Sequence, residues 1–320
     1  MLQRKYWIDW CKIYGIYLVA LGHFSPQVDT LHLWFYTFHI PLFFIISGYL
    51  SSSKVISFSN HLRNNTKTLI VPYFILVFIG WCIDMVCNGF SNVIGGGQDL
   101  LLSVIGLPGG HVNPMWFVFC LFMVKIIDAF LGQINNKTIA TIFVIVIIIL
   151  ALLLTEGVIP LKRPLIWFIV ATPFYWVGKI LKNRDKLFIA KNNLWKVVIC
   201  ILGLSLPLAF SLINERTDMY FCMFGRSGIL YYLFGIVASI VVLIVSENIL
   251  DIKSELITTL SKGTLMIVAF HRYLLWPLEL LNFNECIFVR VFYPLIVVLL
   301  FYYPIRLTLK HMPIILGNRK

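Results

Sequence analysis

The stretch Ile139–Leu154, IATIFVIVIIILALLL, decides the fold class of this chain because it contains no charged residue, no glycine and no proline. A membrane-spanning helix needs roughly 20 predominantly apolar residues, with about 17 to 25 tolerated. A second apolar run, Ile229–Val245, has the same character. Neither run alternates apolar and polar residues as a β-barrel strand does, so both predict membrane-spanning helices.

The composition extends this prediction to the whole chain. Of the 320 residues, 60% are hydrophobic and only 12% are charged, and the mean hydropathy is +0.89. Soluble domains have about 25% charged residues, so the composition excludes an ordinary soluble domain. The net charge of +12 would suggest a nucleic-acid partner in a soluble protein. Here lysines and arginines gather in alternate loops, which indicates membrane topology, and the expected surroundings are membrane lipid rather than nucleic acid.

The sequence therefore predicts an all-α, polytopic integral membrane protein with about ten transmembrane helices. Residues 1–320 form one membrane-embedded domain, because the sequence contains no internal repeat, low-complexity tract or appended soluble domain. The predicted spans are Trp7–Pro26, Leu31–Leu50, Leu69–Cys87, Pro114–Leu131, Thr138–Thr155, Pro164–Leu181, Leu194–Leu212, Ser227–Val245, Gly263–Leu281 and Phe288–Leu307.

The distribution of positive charge predicts the orientation of these spans. With both termini on one side, that side holds 19 lysines and arginines and the other side holds 5. The positive-inside rule then places both termini in the cytoplasm, in a bacterial inner (plasma) membrane. No cleavable signal peptide is expected, because Asp9 and Lys12 interrupt the first apolar run and no small-residue cleavage site follows it.

The longest loop on the predicted outer side, Asn88–Asn113, is glycine-rich and contains no lysine or arginine. Its apolar segment Leu100–Leu107 is too short to span a membrane. Two interpretations remain open: the loop returns into the protein, or it is a flexible surface loop.

The seven cysteines indicate no metal site, because they show neither a CxxC motif nor Cys/His ligand spacing. Most of them lie in apolar segments, where a free cysteine behaves as a small hydrophobic residue.

Charged residues in the first span are the main pointer to function, since a charge within a span costs at least ~2.5 kcal/mol. Asp9 and Lys12 are three residues apart, so they can pair on one helix face. Lys12 and His23 are eleven residues apart, which is about 20° past three full turns, with a rise of about 16 Å. The three residues therefore form one polar stripe. The alternatives are interfacial snorkelling by Asp9 and Lys12 and a His23 placed at the outer interface.

The segment WIDWCKIYGIYLVALGHFS (residues 7–25) resembles the opening of the membrane-bound acyltransferase-3 family, which pairs an Arg or Lys with a His across ten intervening residues. FHIPLFFIISGYL (38–50) resembles the second signature of that family, LRNNTKTLIVPY (62–73) its basic stretch before the third span, and PMWFVFCLF (114–122) its Trp-Phe segment. Within the family, the chain resembles the fucose-4-O-acetylase-like enzymes, which also favour Lys in the first motif. The resemblance covers the first 125 residues in detail and the remainder by span count. One departure is Lys12, because Arg is commoner at this position and a Lys lacks its bidentate fork.

The resemblance implies an O-acyltransferase that moves an acetyl group from acetyl-CoA to a hydroxyl of a cell-surface or lipid-linked glycan. A hydroxyl needs a base to take its proton, and a neutral imidazole suits this task. The hypothesis is that His23 is this base or a transient acyl carrier. Lys12 would then bind the phosphates of the cofactor or favour the reactive state of His23, and Asp9 would orient Lys12.

Other polar residues form a second group of candidates. Arg63 and Lys67 are candidates for binding CoA phosphates, with a plain positive-inside role as the alternative. The substrate or cavity candidates are His39, Ser47, Trp116, His271 and Arg272. Ser47 beside Gly48 is also typical of close helix packing, Trp116 of an interface anchor, and His271 of a hydrogen bond between helices. His271 and Arg272 are adjacent, so at most one of them squarely faces a given cavity.

The alternative function is a secondary transporter or flippase, in which Asp9, Lys12, His23 and His271 form a proton or substrate path. Transporters often contain two related halves, and the first two motifs have no counterpart in the second half of this sequence. The sequence makes no prediction of oligomeric state.

Overall fold

A computed structural model describes residues 4–26, 30–52, 57–87, 93–184, 187 and 192–318. Five residues of the charge count, Lys54, Lys186, Lys191, Arg319 and Lys320, lie outside these residues, as does the start of the predicted loop that begins at Asn88. The α-helices of the described residues are α1 Tyr6–Phe24, α2 Thr30–Tyr36, α3 His39–Tyr49, α4 Phe58–Asn65, α5 Val71–Cys87, α6 Val93–Ser103, α7 Trp116–Leu131, α8 Lys137–Thr155, α9 Leu165–Lys182, α10 Asn193–Asn214, α11 Gly228–Ile249, α12 Glu255–Lys262, α13 Thr264–Leu280, α14 Ile287–Leu300 and α15 Tyr302–His311.

Shorter elements join these helices. A π-helical turn, Thr66–Ile70, connects α4 to α5, and 3-10 turns occupy Gly110–Met115, Phe283–Glu285 and Pro313–Leu316. One antiparallel hairpin, β1 Thr217–Asp218 with β2 Met223–Phe224, links α10 to α11. The all-α class is confirmed, because these two short strands are the only ones in the described residues.

Each of the ten predicted spans coincides with a helix or a run of helices. Eight runs in the described residues are long and apolar enough to cross a membrane. The two predicted spans outside this set are α1 and α13, the helices that contain Lys12, His23, His271 and Arg272. Helix α13 is short, with 17 residues, whereas in α1 the polar side chains lower the apolarity. Polar side chains within a span are typical of the functional interior of a membrane protein.

The central position of α1 compensates for its polar residues. It packs against α3, α11, α12, α13 and α14, so its side chains meet protein rather than lipid. Helix α8, which contains the apolar run Ile139–Leu154, instead carries exposed apolar side chains. Ile142, Phe143 and Ile145 on this helix are about half exposed, as expected for a helix that faces lipid.

The second predicted span is interrupted. Helix α2 ends at Tyr36, α3 begins at His39, and turn residues Thr37 and Phe38 separate them. The break places His39 at the first position of a new helix, close to the end of α1.

The closest helix crossing joins α3 to α9. A Cβ atom on Gly48 would overlap the carbonyl oxygen of Tyr175, and one on Gly178 would overlap that of Ile45. Two glycines that face each other permit this backbone contact, so the packing role expected next to Ser47 is filled by Gly48. The crossing fixes α3 and, with it, His39.

The described part of the predicted outer loop folds back onto the bundle. Helix α6 packs against α5, Trp81 Nε1 donates a hydrogen bond to the Gly96 carbonyl oxygen at 2.8 Å, and the Tyr73 hydroxyl donates one to the Ser103 carbonyl oxygen at 2.7 Å. Of the two interpretations left open, this arrangement favours a segment packed on the protein.

Candidate active site

One face of α1 lines two cavities. Ile8 and Lys12 line the first, and Ile16, Val19 and His23 line the second. Because these residues follow one another at spacings of three or four, they lie on one side of the helix. Lys12 and His23 therefore share a face of α1 but occupy different cavities.

The cavity at the C-terminal end of α1, here termed the histidine cavity, has a volume of about 440 Å³. This volume falls in the roughly 300–1,000 Å³ range of small-molecule sites. Its polar lining includes His23, His32, His39, Asp218, Tyr220 and Arg272. Trp116 also lines it and is only 5% exposed, which is a wall position rather than that of an interface anchor.

His271 lies behind His23 rather than in the cavity lining. The centroids of the two imidazole rings are 5.1 Å apart and the ring planes are tilted by 48°. His271 Nδ1 lies 2.8 Å from the Ile267 carbonyl oxygen, and a carbonyl can only accept, so Nδ1 carries the proton. The neutral ring then has a lone pair at Nε2, and this buried atom has no hydrogen-bond partner among the described residues.

The neighbouring residue Arg272 does line the histidine cavity. Its Nη1 donates a hydrogen bond of 3.3 Å to the carbonyl oxygen of Gly110. Of the two adjacent residues on α13, one therefore faces the cavity and the other packs on His23, as the helix geometry requires.

His32 of α2 and His39 of α3 line the same cavity. His39 Nδ1 donates to the Phe35 carbonyl oxygen at 3.0 Å, which leaves a lone pair at Nε2. His32 stacks on Tyr36 with ring centroids 3.7 Å apart, and Tyr36 in turn contacts His39 at 4.5 Å. The rings of His32, Tyr36 and His39 thus form a row in which each ring contacts the next.

The β1–β2 hairpin covers this cavity. The Thr217 hydroxyl donates to the Tyr36 carbonyl oxygen at 3.2 Å, and Asn113 Nδ2 donates to the Tyr220 hydroxyl at 2.9 Å. Asp218 lies under the turn, where its Oδ1 accepts from the backbone N–H groups of Tyr220 and Phe221 at 3.0 and 3.3 Å. Burial raises the pKa of the Asp218 carboxyl above its ordinary value, although these N–H groups and Arg216 act in the opposite direction.

The cavity at the N-terminal end of α1, here termed the lysine cavity, has a volume of about 730 Å³. Its charged lining residues are Arg4, Lys5, Asp9, Lys12, Lys182 and Lys262. Leu316 and Asn318 also line it, so the two ends of the described chain meet on the same side of the bundle. Five cations with one carboxylate make this a strongly basic cavity.

Asp9 is not paired with Lys12 as the spacing predicted. Its carboxylate accepts hydrogen bonds from Arg4 Nε at 2.7 Å, from Arg4 Nη2 at 2.9 Å and from the Ser261 hydroxyl at 2.6 Å. These bonds use both oxygens, and a bidentate guanidinium is a better partner than an ammonium group. Among the described residues, Lys12 has no carboxylate within ion-pair distance.

The two cavities adjoin. Thr264, the first residue of α13, lines both of them. The two cavities therefore meet at the start of α13.

Three predicted residues lie elsewhere. Arg63 on α4 and Lys67 on the π-helical turn are exposed, and neither lines the lysine or the histidine cavity. Ser47 lines neither cavity. Phe43, which lies four residues earlier on α3, does line the histidine cavity. The role of these residues stays a prediction.

Other residues of the site carried no usable signal in the sequence. His32 lies in a seven-residue helix that ends in a break, and the hairpin strands have only two residues each. No group of three or more His, Cys, Asp or Glu side chains in the described ranges is arranged to hold a metal ion.

Two curated relatives are similar to parts of this chain. The nodulation protein NolL of Mesorhizobium japonicum is 26% identical over 218 residues, which cover 63% of this chain and 57% of that protein. The nodulation protein NolL of Sinorhizobium fredii is 25% identical over 194 residues, which cover 55% and 48% of the two chains. The chain thus spans about half the length of these relatives. No solved structure matches it.

A family model described as an acyltransferase domain matches residues 5–303, nearly the whole chain. This range includes every lining residue of both cavities except Arg4, Leu316 and Asn318 of the lysine cavity. It favours acyl transfer over the transporter alternative. The chain belongs to the acyltransferase-3 family and is a membrane acyltransferase.

Proposed function

We propose that this chain moves an acetyl group from acetyl-CoA to a hydroxyl of a cell-surface or lipid-linked glycan. Family membership supports acyl transfer in general. The observation that carries the finer proposal is the pair of adjoining cavities along one face of α1, one strongly basic and the other lined by histidines and hydroxyl groups.

The lysine cavity suits the donor. Coenzyme A carries several phosphate charges, and lysine and arginine are the usual partners of phosphate oxygens. Lys12 and Lys262 line this cavity, and Arg4 is held at its wall by Asp9. In this proposal Asp9 shapes the phosphate site by positioning Arg4, and Lys12 contacts the donor.

The proposed location of the donor implies an orientation in the membrane. Acetyl-CoA is a cytoplasmic metabolite, so the lysine cavity would open to the cytoplasm of a bacterium, with both termini on that side and the histidine cavity toward the outer face of the inner membrane. The excess of positive charge in the predicted cytoplasmic loops supports the same orientation. The acyl-bearing arm of the donor would then reach the histidine cavity past Thr264.

His23 is the proposed base, placed where the acyl group and the acceptor hydroxyl would meet. It takes the proton of the acceptor hydroxyl while the hydroxyl oxygen attacks the thioester carbon. The C–O bond forms, the C–S bond breaks, and the departing thiolate of coenzyme A receives the proton from the imidazolium. His23 suits this role because it lines the cavity and its ring packs on that of His271. Arg272, which lines the same cavity, is the proposed cation for the oxygen that becomes negative.

The test uses membranes that contain the protein and acetyl-CoA labelled in the acetyl group. The expected result is label in lipid-linked or polymeric glycan, together with one free coenzyme A for each acetyl group transferred. Membranes with His23→Ala serve as the control. Accumulation of a solute in sealed vesicles, with no transfer of label, would instead indicate the transporter function.

A further inference from the structure

Three buried polar side chains of the histidine cavity make no hydrogen bond among the residues that the structure describes. They are Ser25 Oγ, His32 Nδ1 and Tyr231 Oη, on residues that are 7%, 1% and 2% exposed. All three residues line the cavity. Because buried polar groups in folded proteins are nearly always hydrogen-bonded, these three indicate a polar ligand.

The chemistry of these atoms narrows the ligand class. The hydroxyls of Ser25 and Tyr231 both donate and accept, and His32 Nδ1 does one or the other according to its tautomer. A phosphate or carboxylate would use only donors, and an apolar ligand would leave all three atoms unpaired. A ligand with several hydroxyl groups, which donate and accept in the same way, satisfies them.

Two aromatic rings lie beside these atoms. The Trp116 and Tyr220 rings both line the cavity, with centroids 5.8 Å apart and ring planes inclined by 50°. Trp167 supports them from behind, at 4.6 Å from Trp116 and stacked on Tyr220 at 5.4 Å. The C–H face of a pyranose ring packs on such aromatic surfaces, whereas its hydroxyls project from the edge toward polar groups.

The charges of the lining favour an uncharged ligand. Asp218 and Glu279 supply two carboxylates, and Arg272 supplies one cation. The histidine cavity therefore has no excess of positive charge that would select a sugar acid, in contrast to the lysine cavity.

We propose that the hairpin side of the histidine cavity is a subsite for one uncharged pyranose ring, which packs against the aromatic pair Trp116 and Tyr220 and hydrogen-bonds to Ser25, His32 and Tyr231. The β1–β2 hairpin is the specificity-determining wall. It is tied to Tyr36, Asn113 and Trp167 by hydrogen bonds of 2.9 to 3.2 Å, so its residues hold a fixed position against the sugar. This inference rests on the proposed function, since the ring is that of the acceptor.

The test pairs binding with transfer, in purified full-length protein. Binding of methyl glucoside, methyl galactoside and methyl fucoside is measured without donor through tryptophan fluorescence, with mannitol as the open-chain counterpart. The three pyranosides are then assayed as acceptors for labelled acetyl-CoA. At least one glycoside should bind at least tenfold more tightly than mannitol. Absence of binding by any glycoside, or equal binding of mannitol, would overturn the subsite.

The variants Ser25→Ala and Tyr231→Phe each remove one unpaired hydroxyl and nothing else. Each should raise the KM for the best glycoside about tenfold, the factor that corresponds to ~1.4 kcal/mol, with the KM for acetyl-CoA within about twofold of the wild-type value. Neither should lower the melting temperature, because the lost hydroxyl has no partner in the protein.

The matched control is Tyr232→Phe. The Tyr232 hydroxyl is buried and already donates to the Val170 carbonyl oxygen at 2.9 Å, and Tyr232 does not line the histidine cavity. This variant should lower the melting temperature and leave the glycoside KM unchanged. An equal rise in KM for Tyr232→Phe, or no rise for both Ser25→Ala and Tyr231→Phe, would refute the subsite.

The two proposals fail in different ways. Binding of a glycoside with no transfer from acetyl-CoA refutes the proposed function and leaves the subsite standing. Transfer that is insensitive to Ser25→Ala and Tyr231→Phe refutes the subsite and leaves the function standing.

Discussion

The imidazole rings of His23 and His271 lie 5.1 Å apart across the contact between α1 and α13. The Nδ1 proton of His271 is committed to the carbonyl oxygen of Ile267, so the nitrogen left for its neighbour is an acceptor. A histidine that acts as a base needs a defined tautomer, and an acceptor beside the ring can supply one. In the proposed mechanism His23 is the reacting ring, and His271 is the neighbouring ring that we expect to orient it.

Replacement of the reacting ring is the first prediction. His23→Ala should lower kcat for acetyl transfer by roughly 10²- to 10⁴-fold, the usual contribution of a general base. His23→Gln should be equally inactive, because an amide does not take up a proton at neutral pH. Transfer is measured with labelled acetyl-CoA, and donor binding by equilibrium dialysis. Donor affinity should be preserved, since the lysine cavity is untouched, and wild-type transfer by either variant would rule out His23 as the base.

The second prediction distinguishes two roles for His271: it orients the ring of His23, or it only fills the space beside that ring. His271→Leu keeps the volume but removes Nε2, which has no partner among the described residues and is the acceptor proposed for His23 when the substrates are bound. It should lower kcat about tenfold with little change in either KM, since one hydrogen bond contributes about 1–1.5 kcal/mol. His271→Gln restores an acceptor oxygen and should recover most of the loss. If His271 is only a packing residue, the two variants will have the same kcat and will differ only in melting temperature.

The third prediction concerns the donor site and compares two cations. Lys12→Gln should raise the KM for acetyl-CoA by about 10- to 100-fold, because a hydrogen bond to a charged group contributes about 1.5–3 kcal/mol. Lys12→Arg should retain most of the affinity, and a rise in salt concentration should weaken donor binding in the wild type. The measurement is the KM for acetyl-CoA at two salt concentrations.

Arg63→Gln provides the comparison for Lys12→Gln. Arg63 is exposed on α4 and lines neither cavity, so its replacement should change the donor KM by less than about threefold, as expected of a screened surface charge. A larger rise in the donor KM for Arg63→Gln than for Lys12→Gln would instead support the cofactor-binding role that the sequence predicts for Arg63 and Lys67.

Local sequence features predicted the fold class and the position of the polar stripe because both depend on short spacings. The run Ile139–Leu154 became α8, and its half-exposed Ile142 and Ile145 agree with a helix that meets lipid. The interval between Lys12 and His23 placed both on one face of α1, since helical geometry alone determines that relationship.

Short spacings in the sequence do not reveal contacts between segments that are far apart along the chain. Asp9 pairs with Arg4, which precedes the span, and with Ser261, which lies 252 residues away. Spacing within one helix suggested Lys12 as the partner because it was the only cation in that window. The hairpin over the histidine cavity was missed for a different reason: strands of two residues have no alternation that a sequence pattern could reveal.

The fourth prediction tests the crossing that positions His39. Gly48→Ala would place a Cβ against the Tyr175 carbonyl oxygen, and backbone cannot yield as a flexible side chain does. Such overpacking costs about 1–3 kcal/mol or more, so the melting temperature in detergent should fall by roughly 2–10 °C. Acetyl transfer should fall too, because α3 carries His39 into the histidine cavity.

The control for this change is Gly97→Ala. Gly97 lies within α6, and a Cβ there would have no atom within 4 Å. Alanine is favoured over glycine in a helix by up to about 1 kcal/mol, so this variant should melt at the wild-type temperature or slightly above it, with unchanged transfer. Equal melting temperatures for Gly48→Ala and Gly97→Ala would mean that α3 and α9 have room to separate. The position of His39 would then depend on its hydrogen bond to the Phe35 carbonyl oxygen and not on the crossing.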